Sequence, residues 1–473
     1  MTFIHESDNP EELLSIWEKE NKDASIFESD EVNFFSGEQN TAKGSLFLAV
    51  EYSFIQYYLA NKPSIKLLAL YFYHDKNIYF TVTASDEFLR TNFSLLSPSF
   101  DSIKDFLSNN KLPFLRLDQP LALKPVNIEK PWGQEIWYTG IEQRGISSVT
   151  DGIYDSPLPW VLSAAPKRLT AGREKQINLL KILDPAPEPL FGDLYFELHE
   201  KKQEVYVVVD IDEQCWPQKI GGMRYGFNDE LKNTFSSEKD FHKAYKKAVK
   251  KYSKIRQVID ARLDSYRALE GYAFNEALPI SVISKWMTLI PDDWIYEEKK
   301  LRSELNHFSS ILSLKVGDVI KIPLLTPHGL LHGVRVVEFQ NPVYERLILS
   351  FNQKTLTQDH WDTDKALSIM TERIDPFSEL TIIEKNLNHT IEVVAVFDDF
   401  KVSRITLSSK SSLSLTADKN YKLLLVIEGS IDCNSIVAIK ECGLFLPSYQ
   451  KEIAIKNIND NQSVILIASP IHN

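Results

Sequence analysis

Four residues with the chemistry of metal ligands and acid–base groups stand together in Phe191–Asp210, FGDLYFELHEKKQEVYVVVD: Glu197, His199, Lys202 and Glu204, just ahead of a β-branched run. On a strand, Glu197 and His199 are two apart and leave the same face of the sheet. Residues Glu200–Gln203 then suit a tight turn, with Val205–Val209 returning antiparallel beside the first strand. Glu204 would lie across from the Glu-x-His face. Two carboxylates and an imidazole converging on one point make a divalent-metal arrangement that still lacks a fourth ligand. The same residues also suit a polar hairpin with a surface histidine and a solvated turn.

The chain around this stretch has 473 residues, enough for two or three domains, with the hydrophobic and charged fractions of a globular protein. A net charge of −12 argues against nucleic acid as a partner. The N-terminus, MTFIHESDNPEELL, is acidic and has no basic segment followed by an apolar one. The most apolar early stretch, Ser45–Ala60, carries Glu51, Gln56 and three tyrosines and is too short to span a bilayer. Cys215, Cys433 and Cys442 are scattered, odd in number and without C-x-x-C spacing, which suits reduced thiols. The expectation is a cytoplasmic protein with neither membrane nor nucleic acid as partner.

The elements that must position the site are read as follows. Residues 1–120 form an α+β accessory domain: a helix beginning at Asn9–Lys19, a hairpin of Leu67–His74 and Ile78–Ala84, and a helix at Asp101–Asn109 capped by Asp101. No catalytic constellation is found there. From Leu121 a linker runs into an edge strand at Ile136–Tyr138, and Asp151–Pro166 reads as loop. A helical insert occupies about 229–305; Phe241, Ala244, Ala248, Tyr252, Ile255, Ile259, Leu263, Tyr266 and Leu269 keep helical spacing on it. Its first half is rich in lysine, which reads as a solvated face or as a positive rim for an anionic substrate. After Asn306 strands return, with a Gly317-Asp318 turn, a stop at Thr326-Pro327-His328, strands at Val334–Gln340 and Tyr344–Ser350, and a polar loop at Asp359–Ala366. Residues 381–473 are short strands with regular turn signals, a sandwich or barrel without the histidines of a metal site.

This order of segments resembles the type I phosphomannose isomerases (mannose-6-phosphate isomerase) of the cupin superfamily, from about Lys130 to the C-terminus. INLLKILDPAPEPL (177–190) is similar to the family's run into its first ligand strand, and Glu197-Leu198-His199 stands where the family has Gln-x-His. Lys202-Gln203-Glu204 looks like its Lys-x-Glu strand, KVGDVIKIP (315–323) with Thr326-Pro327-His328 like its Gly-Asp … Thr-Pro-His segment, and Glu338 with Arg346 like its active-site glutamate and arginine. YKLLLVIEGSI (421–431) is similar to a turn of its terminal cupin domain.

The resemblance implies a mostly β fold of two cupin (jelly-roll β-barrel) domains, 121–380 with the helical insert and 381–473, plus the N-terminal α+β domain. It implies one zinc per chain held by Glu197, His199, Glu204 and His328; His332, four residues past His328, is a second candidate that does not fit the family position. It also implies Lys202, Glu338 and Arg346 as catalytic residues and a sugar phosphate as substrate, in a monomer or small homo-oligomer. The chain departs from the family in having Glu197 for Gln, a shorter loop between His199 and Lys202, and a connection from Glu338 to Arg346 about two residues short. A second carboxylate cancels more of the cation's charge and suits manganese or iron as well as zinc.

The expected reaction interconverts mannose 6-phosphate and fructose 6-phosphate through an enediol(ate), moving one proton between C2 and C1 and another between the oxygens. Glu338 and Lys202 are the acid–base candidates, and Arg346 the candidate for a substrate phosphate or an enediolate oxygen. Residue by residue, other readings stay open: Glu338 as a strand-end partner of Arg335 or Arg346, Lys202 as a hairpin-tip lysine, Arg346 as an ion-pair partner of Glu345 or Glu338. The alternatives for the whole are an isomerase of an unphosphorylated sugar, a sugar-binding cupin module without catalysis, and an iron-dependent cupin oxygenase.

Overall fold

The computed structural model of the chain describes residues 4–23, 47–96, 99–371, 377, 380–416, 419–450 and 452–471. The protein is mostly β. It divides into two compact units, neither continuous in sequence: residues 1–126, 138–178 and 380–473 form one, and residues 127–137 with 179–379 the other.

Among the described residues the first unit contains four sheets, the smallest a two-stranded pair of Ile141–Glu142 and Gly145–Ile146. A five-stranded sheet runs in the order Ile4–Glu6, Phe47–Ile55, Ser64–His74, Asn77–Ala84, Leu115–Arg116, with its first pair parallel. Helices Glu87–Ser94 and Phe100–Asn109 bury Leu89, Phe93, Ile103, Phe106 and Leu107 in a common cluster with Phe47, Leu68, Leu70 and Phe72 of this sheet. The cap of the second helix is Ser99 rather than the expected Asp101; its hydroxyl accepts the Ser102 N–H at 3.3 Å. A nine-stranded sheet joins strands Leu121–Lys124, Ser148–Thr150 and Asp155–Pro157 to six strands of the C-terminal segment, and a four-stranded sheet completes this part. Their shared core includes Leu424, Val426, Ile431, Leu444, Ile455 and Ile465. The expected loop at Asp151–Pro166 is in fact the strand Asp155–Pro157 followed by the helix Leu158–Ala164, whose Leu158, Val161 and Leu162 are buried.

The second unit is a pair of antiparallel sheets face to face. One has the order Val319–Ile322, Glu204–Ile211, Val334–Gln340, Leu179–Pro185, Gly133–Trp137, Val126–Lys130. The other has the order Ser309–Leu314, Gly221–Phe227, His328–Leu330, Phe196–Leu198, Leu347–Ser350. Strand alternation explains how a core and a polar site share this interior. Tyr206, Val208, Val334, Val336 and Leu183 of the first sheet pack with Met223, Tyr225, Leu330 and Ile348 of the second. Two residues further along the same faces come Glu204, Glu338, Lys181 and His328. On the opposite face of the second sheet, Phe196, Leu198, Leu347 and Leu349 are covered by helices Glu238–Glu270, Asp292–Asn306 and Thr363–Ile369. The last of these occupies much of the segment expected as polar loop.

Three further expectations are corrected. The strand before the site does not return beside itself as a hairpin: Phe196–Leu198 pairs with His328–Leu330 and Leu347–Ser350, whereas Glu204–Ile211 pairs with Val319–Ile322 and Val334–Gln340 in the facing sheet. The strand Gly133–Trp137 is interior, between Leu179–Pro185 and Val126–Lys130, not an edge. The long helix buries Phe241, Tyr245, Val249, Tyr252, Arg256, Ile259, Leu263 and Arg267, so the expected face is rotated away from Ala244 and Ala248, and Leu269 is exposed. Arg256 and Arg267 on the inner face are ion-paired to Asp260 and Asp264, which a purely apolar pattern overlooks.

Candidate active site

The turn 199–203 crosses from one sheet to the other, so Glu197 and His199 approach the interior from one side and Glu204 from the other. His328 arrives on the neighbouring strand, directly in register with Glu197. One ligand atom each from Glu197, His199 and His328 lie within 4.8 Å of one another. Glu204 Oε1 stands 3.2 Å from His199 Nε2 and 3.0 Å from His328 Nε2. Both imidazoles and Glu204 are almost fully buried. All four expected ligands are therefore together.

The outer nitrogens of both rings are anchored. His199 Nδ1 lies 2.9 Å from the Glu345 carbonyl, and His328 Nδ1 3.0 Å from the Thr326 carbonyl. A carbonyl only accepts, so each Nδ1 donates to it, and Nε2 of each ring is turned inward, towards Glu204 Oε1. Burial and the Lys202 ammonium push the His199 pKa below its ordinary value, which favours the neutral form. Burial would raise Glu204, but Lys202 and His199 outweigh it and hold this carboxyl well below the usual range. Two inward Nε2 atoms therefore meet the Glu204 carboxylate, with Glu197 Oε2 buried and without a hydrogen-bond partner beside them. That donor set fits a divalent cation, and the anchoring of Nδ1 on carbonyls is the support such ligands need.

Beside the cluster lies a row of alternating charges. Lys202 Nζ is 2.6 Å from Glu204 Oε2 and 3.5 Å from Glu338 Oε1. Glu338 Oε2 is 3.1 Å from Lys181 Nζ, which is 3.8 Å from Glu135; Glu135 in turn meets Lys130 at 3.4 Å and accepts the Trp137 indole N–H at 2.6 Å. Burial pushes the Glu338 carboxyl up to about 8 against the opposing pull of Lys181 and Lys202. Burial alone would lower Lys202, but Glu204 and Glu338 keep its pKa raised.

Arg346 reaches the other side of the cluster. Its Nε is 3.8 Å from Glu197 Oε2, its guanidinium lies over the Tyr195 ring at 4.2 Å, and one nitrogen donates to the Thr357 hydroxyl at 3.0 Å. Glu338 pairs with neither Arg335 nor Arg346 in the ion pairs above; Arg335 faces Asp184 at 3.7 Å. His332 is turned away from the cluster: its Nδ1 is 2.7 Å from Asp193 and its ring stacks on Trp216.

Sequence reasoning missed Lys181, Glu135 and Glu345. The first two sit on strands recognised only as runs into the site, where period-two alternation with Leu183 and Trp137 was the available signal. Glu345 was read only as a neighbour for Arg346.

No protein-family model matches the chain, and no curated protein matches its sequence. Among solved structures it is similar to mannose 6-phosphate isomerase from Bacillus subtilis, with a TM-score of 0.50 and 15% identity over 74% of this chain and 99% of that one. A mannose 6-phosphate isomerase bound with zinc and yttrium aligns at a TM-score of 0.48 and 12% identity, covering 75% of this chain and 100% of that one. A point mutant of phosphomannose isomerase from Salmonella typhimurium gives 0.47 and 12%, covering 74% and 99%. At 15% identity the Bacillus structure shows a shared fold and no more, and the other two add nothing to that.

Proposed function

We propose that the chain is a metal-dependent aldose–ketose isomerase that interconverts mannose 6-phosphate and fructose 6-phosphate. One observation carries this reading: two imidazoles with inward Nε2 atoms meet two carboxylates in the buried end of a two-sheet interior, with an acid–base pair alongside. The shared fold makes the substrate of the Bacillus mannose 6-phosphate isomerase the first one to try.

Glu197, His199, Glu204 and His328 would hold the cation, zinc in the first instance, with manganese or iron also suited to a set containing two carboxylates. Bound there, a divalent cation supplies Lewis acidity towards the sugar's C1 and C2 oxygens. The remaining work falls to the chain's own side chains. Lys202 and Glu338 face each other 3.5 Å apart beside the ligands, so one can give a proton while the other takes one. Lys181 orients Glu338 from the opposite side at 3.1 Å. Arg346, stacked on Tyr195 beside Glu197, would turn guanidinium N–H groups to an anionic oxygen of the sugar or its phosphate.

The test is metal content together with turnover of fructose 6-phosphate, on wild type and His199→Ala. About one zinc per chain, with metal and turnover both lost in the variant, is the expected result. Bound metal without turnover of either sugar phosphate overturns the substrate, and no metal with no turnover overturns the enzyme reading in favour of a sugar-binding cupin.

A second reading, an isomerase of an unphosphorylated sugar, is favoured by one observation. The cations around the cluster already face carboxylates: Lys202 faces Glu204, Lys181 faces Glu338, Lys130 faces Glu135 and Arg346 faces Glu197. Turnover of free mannose or fructose with none of the phosphates would establish it.

A further inference from the structure

The loop from His199 to Glu204 is short, yet it must carry two ligands and a lysine from one sheet to the other. What holds it is the segment after the strand Val334–Gln340. The Glu345 carboxylate oxygen Oε1 accepts the backbone N–H of Lys201 at 2.7 Å and of Lys202 at 2.9 Å. The carbonyl of the same residue faces His199 Nδ1 at 2.9 Å. Asn341 grips the turn from the other end: its Oδ1 accepts the Gln203 N–H at 3.1 Å, and its side-chain amide donates to the Lys201 carbonyl at 3.2 Å.

We propose that Glu345 is a positioning residue for the ligand His199 and the acid–base candidate Lys202. This rests on the isomerase reading for its purpose, though not for its geometry. One residue holds the turn twice, once through its side chain and once through its backbone. Two adjacent N–H groups pointing at one carboxylate oxygen form a charged anchor, stronger than neutral hydrogen bonds. With that anchor in place the Glu345 carbonyl stays opposite the imidazole, which fixes both the ring's orientation and its Nδ1–H form. The anchor also sets where Lys202 begins, and so whether its ammonium reaches Glu204 and Glu338. Both connections that meet here, 199–204 and 338–346, are short, and neither has spare length with which to find the geometry alone.

The experiment uses the full chain as wild type, Glu345→Gln and Glu345→Ala. In metal-free protein, nitrogen-15 spectra of the histidine rings report the tautomer of His199, and amide hydrogen exchange reports Lys201 and Lys202. Zinc affinity is then measured by competition with a chromophoric chelator. Expected for Glu345→Ala are an unchanged near-ultraviolet circular dichroism spectrum, loss of protection confined to those two amides, a mixed His199 tautomer, and zinc affinity lowered about 10–100-fold. Glu345→Gln, which keeps an acceptor oxygen, recovers most of each. Where Glu345→Ala does not fold, Glu345→Asp, which withdraws the charge by one methylene, is read in the same way. A variant with wild-type amide protection, tautomer and zinc affinity overturns the proposal. Should the wild type bind no zinc, the isomerase reading fails, while the ring and amide signals still decide the role of Glu345.

Discussion

Lys181 and Glu338 are direct register partners on adjacent antiparallel strands, and their side chains meet at 3.1 Å in the interior. Both are almost fully buried, where a charge needs a partner. Removing one member of such a pair costs about 3–5 kcal/mol. Here Lys202 stands 3.5 Å from the same carboxyl, and a carboxyl already pushed up to about 8 takes a proton readily. Lys181→Met is therefore expected to cost less, about 2 kcal/mol in urea unfolding. The double variant Lys181→Met with Glu338→Gln is expected to regain part of that, as a double-mutant cycle would show.

Dialysis against a chelator is expected to abolish turnover and to lower stability, both restored by zinc. Zinc at a hundred times its dissociation constant adds about 2.7 kcal/mol to a protein that binds it only when folded. His328→Ala removes an inward Nε2 while leaving the Thr326 carbonyl behind, and its melting temperature is expected not to respond to zinc. A variant that zinc stabilises as much as the wild type removes His328 from the ligand set.

Asp193 gives the unit an acid-sensitive point away from the ligands. Burial would raise this carboxyl, but Arg224 at 2.6 Å and His332 at 2.7 Å together hold it below the usual carboxylate range. A carboxyl whose pKa is lower in the folded state contributes stability above its unfolded pKa, about 3.9, and that contribution fades as pH falls through the folded value. Asp193→Asn is expected to be about 3 kcal/mol less stable than wild type at pH 7. The gap should narrow below about pH 4. A gap that is constant between pH 7 and pH 3 would show that the charge is not what matters.

Gly329 follows the candidate ligand His328, and a side chain there would press an added Cβ into the Tyr195 carbonyl. That carbonyl is main chain and cannot swing aside. Gly329→Ala is expected to cost about 1–3 kcal/mol and to weaken zinc binding, because it pushes His328 away from its register with Glu197. Unchanged zinc affinity would mean that the two strands separate elsewhere.

The residue types of the site were legible because catalysis and metal binding draw on few side chains, and Glu197, His199, Lys202, Glu204, His328 and Glu338 all carry them. Their spatial logic was less so. Period-two alternation shows that Glu197 and His199 share a face, but it does not say whether the next strand pairs with the first or crosses to the facing sheet. The turn 199–203 crosses, and the groups that hydrogen-bond it there, Glu345 and Asn341, lie more than a hundred residues later in the sequence. The long helix was legible in extent, with Ser237 as its cap, but its inner face was not. Arg256 and Arg267 look like solvent residues until Asp260 and Asp264 are seen beside them. Asp359–Ala366 reads as loop from its charges, while Thr363, Ala366 and Leu367 are buried in the helix Thr363–Ile369.

The strand Leu121–Lys124 lies against Gly443–Leu446 in the nine-stranded sheet. Between these two segments of chain lies nearly all of the unit that carries the site, residues 127–137 and 179–379. On a ribosome the two partners are therefore made far apart in time. The site-bearing unit has every strand it needs once residue 379 has emerged, whereas the strand Leu121–Lys124 must wait for its partner until residues 443–446 are made. Synthesis thus imposes an order in which the unit begun second is finished first.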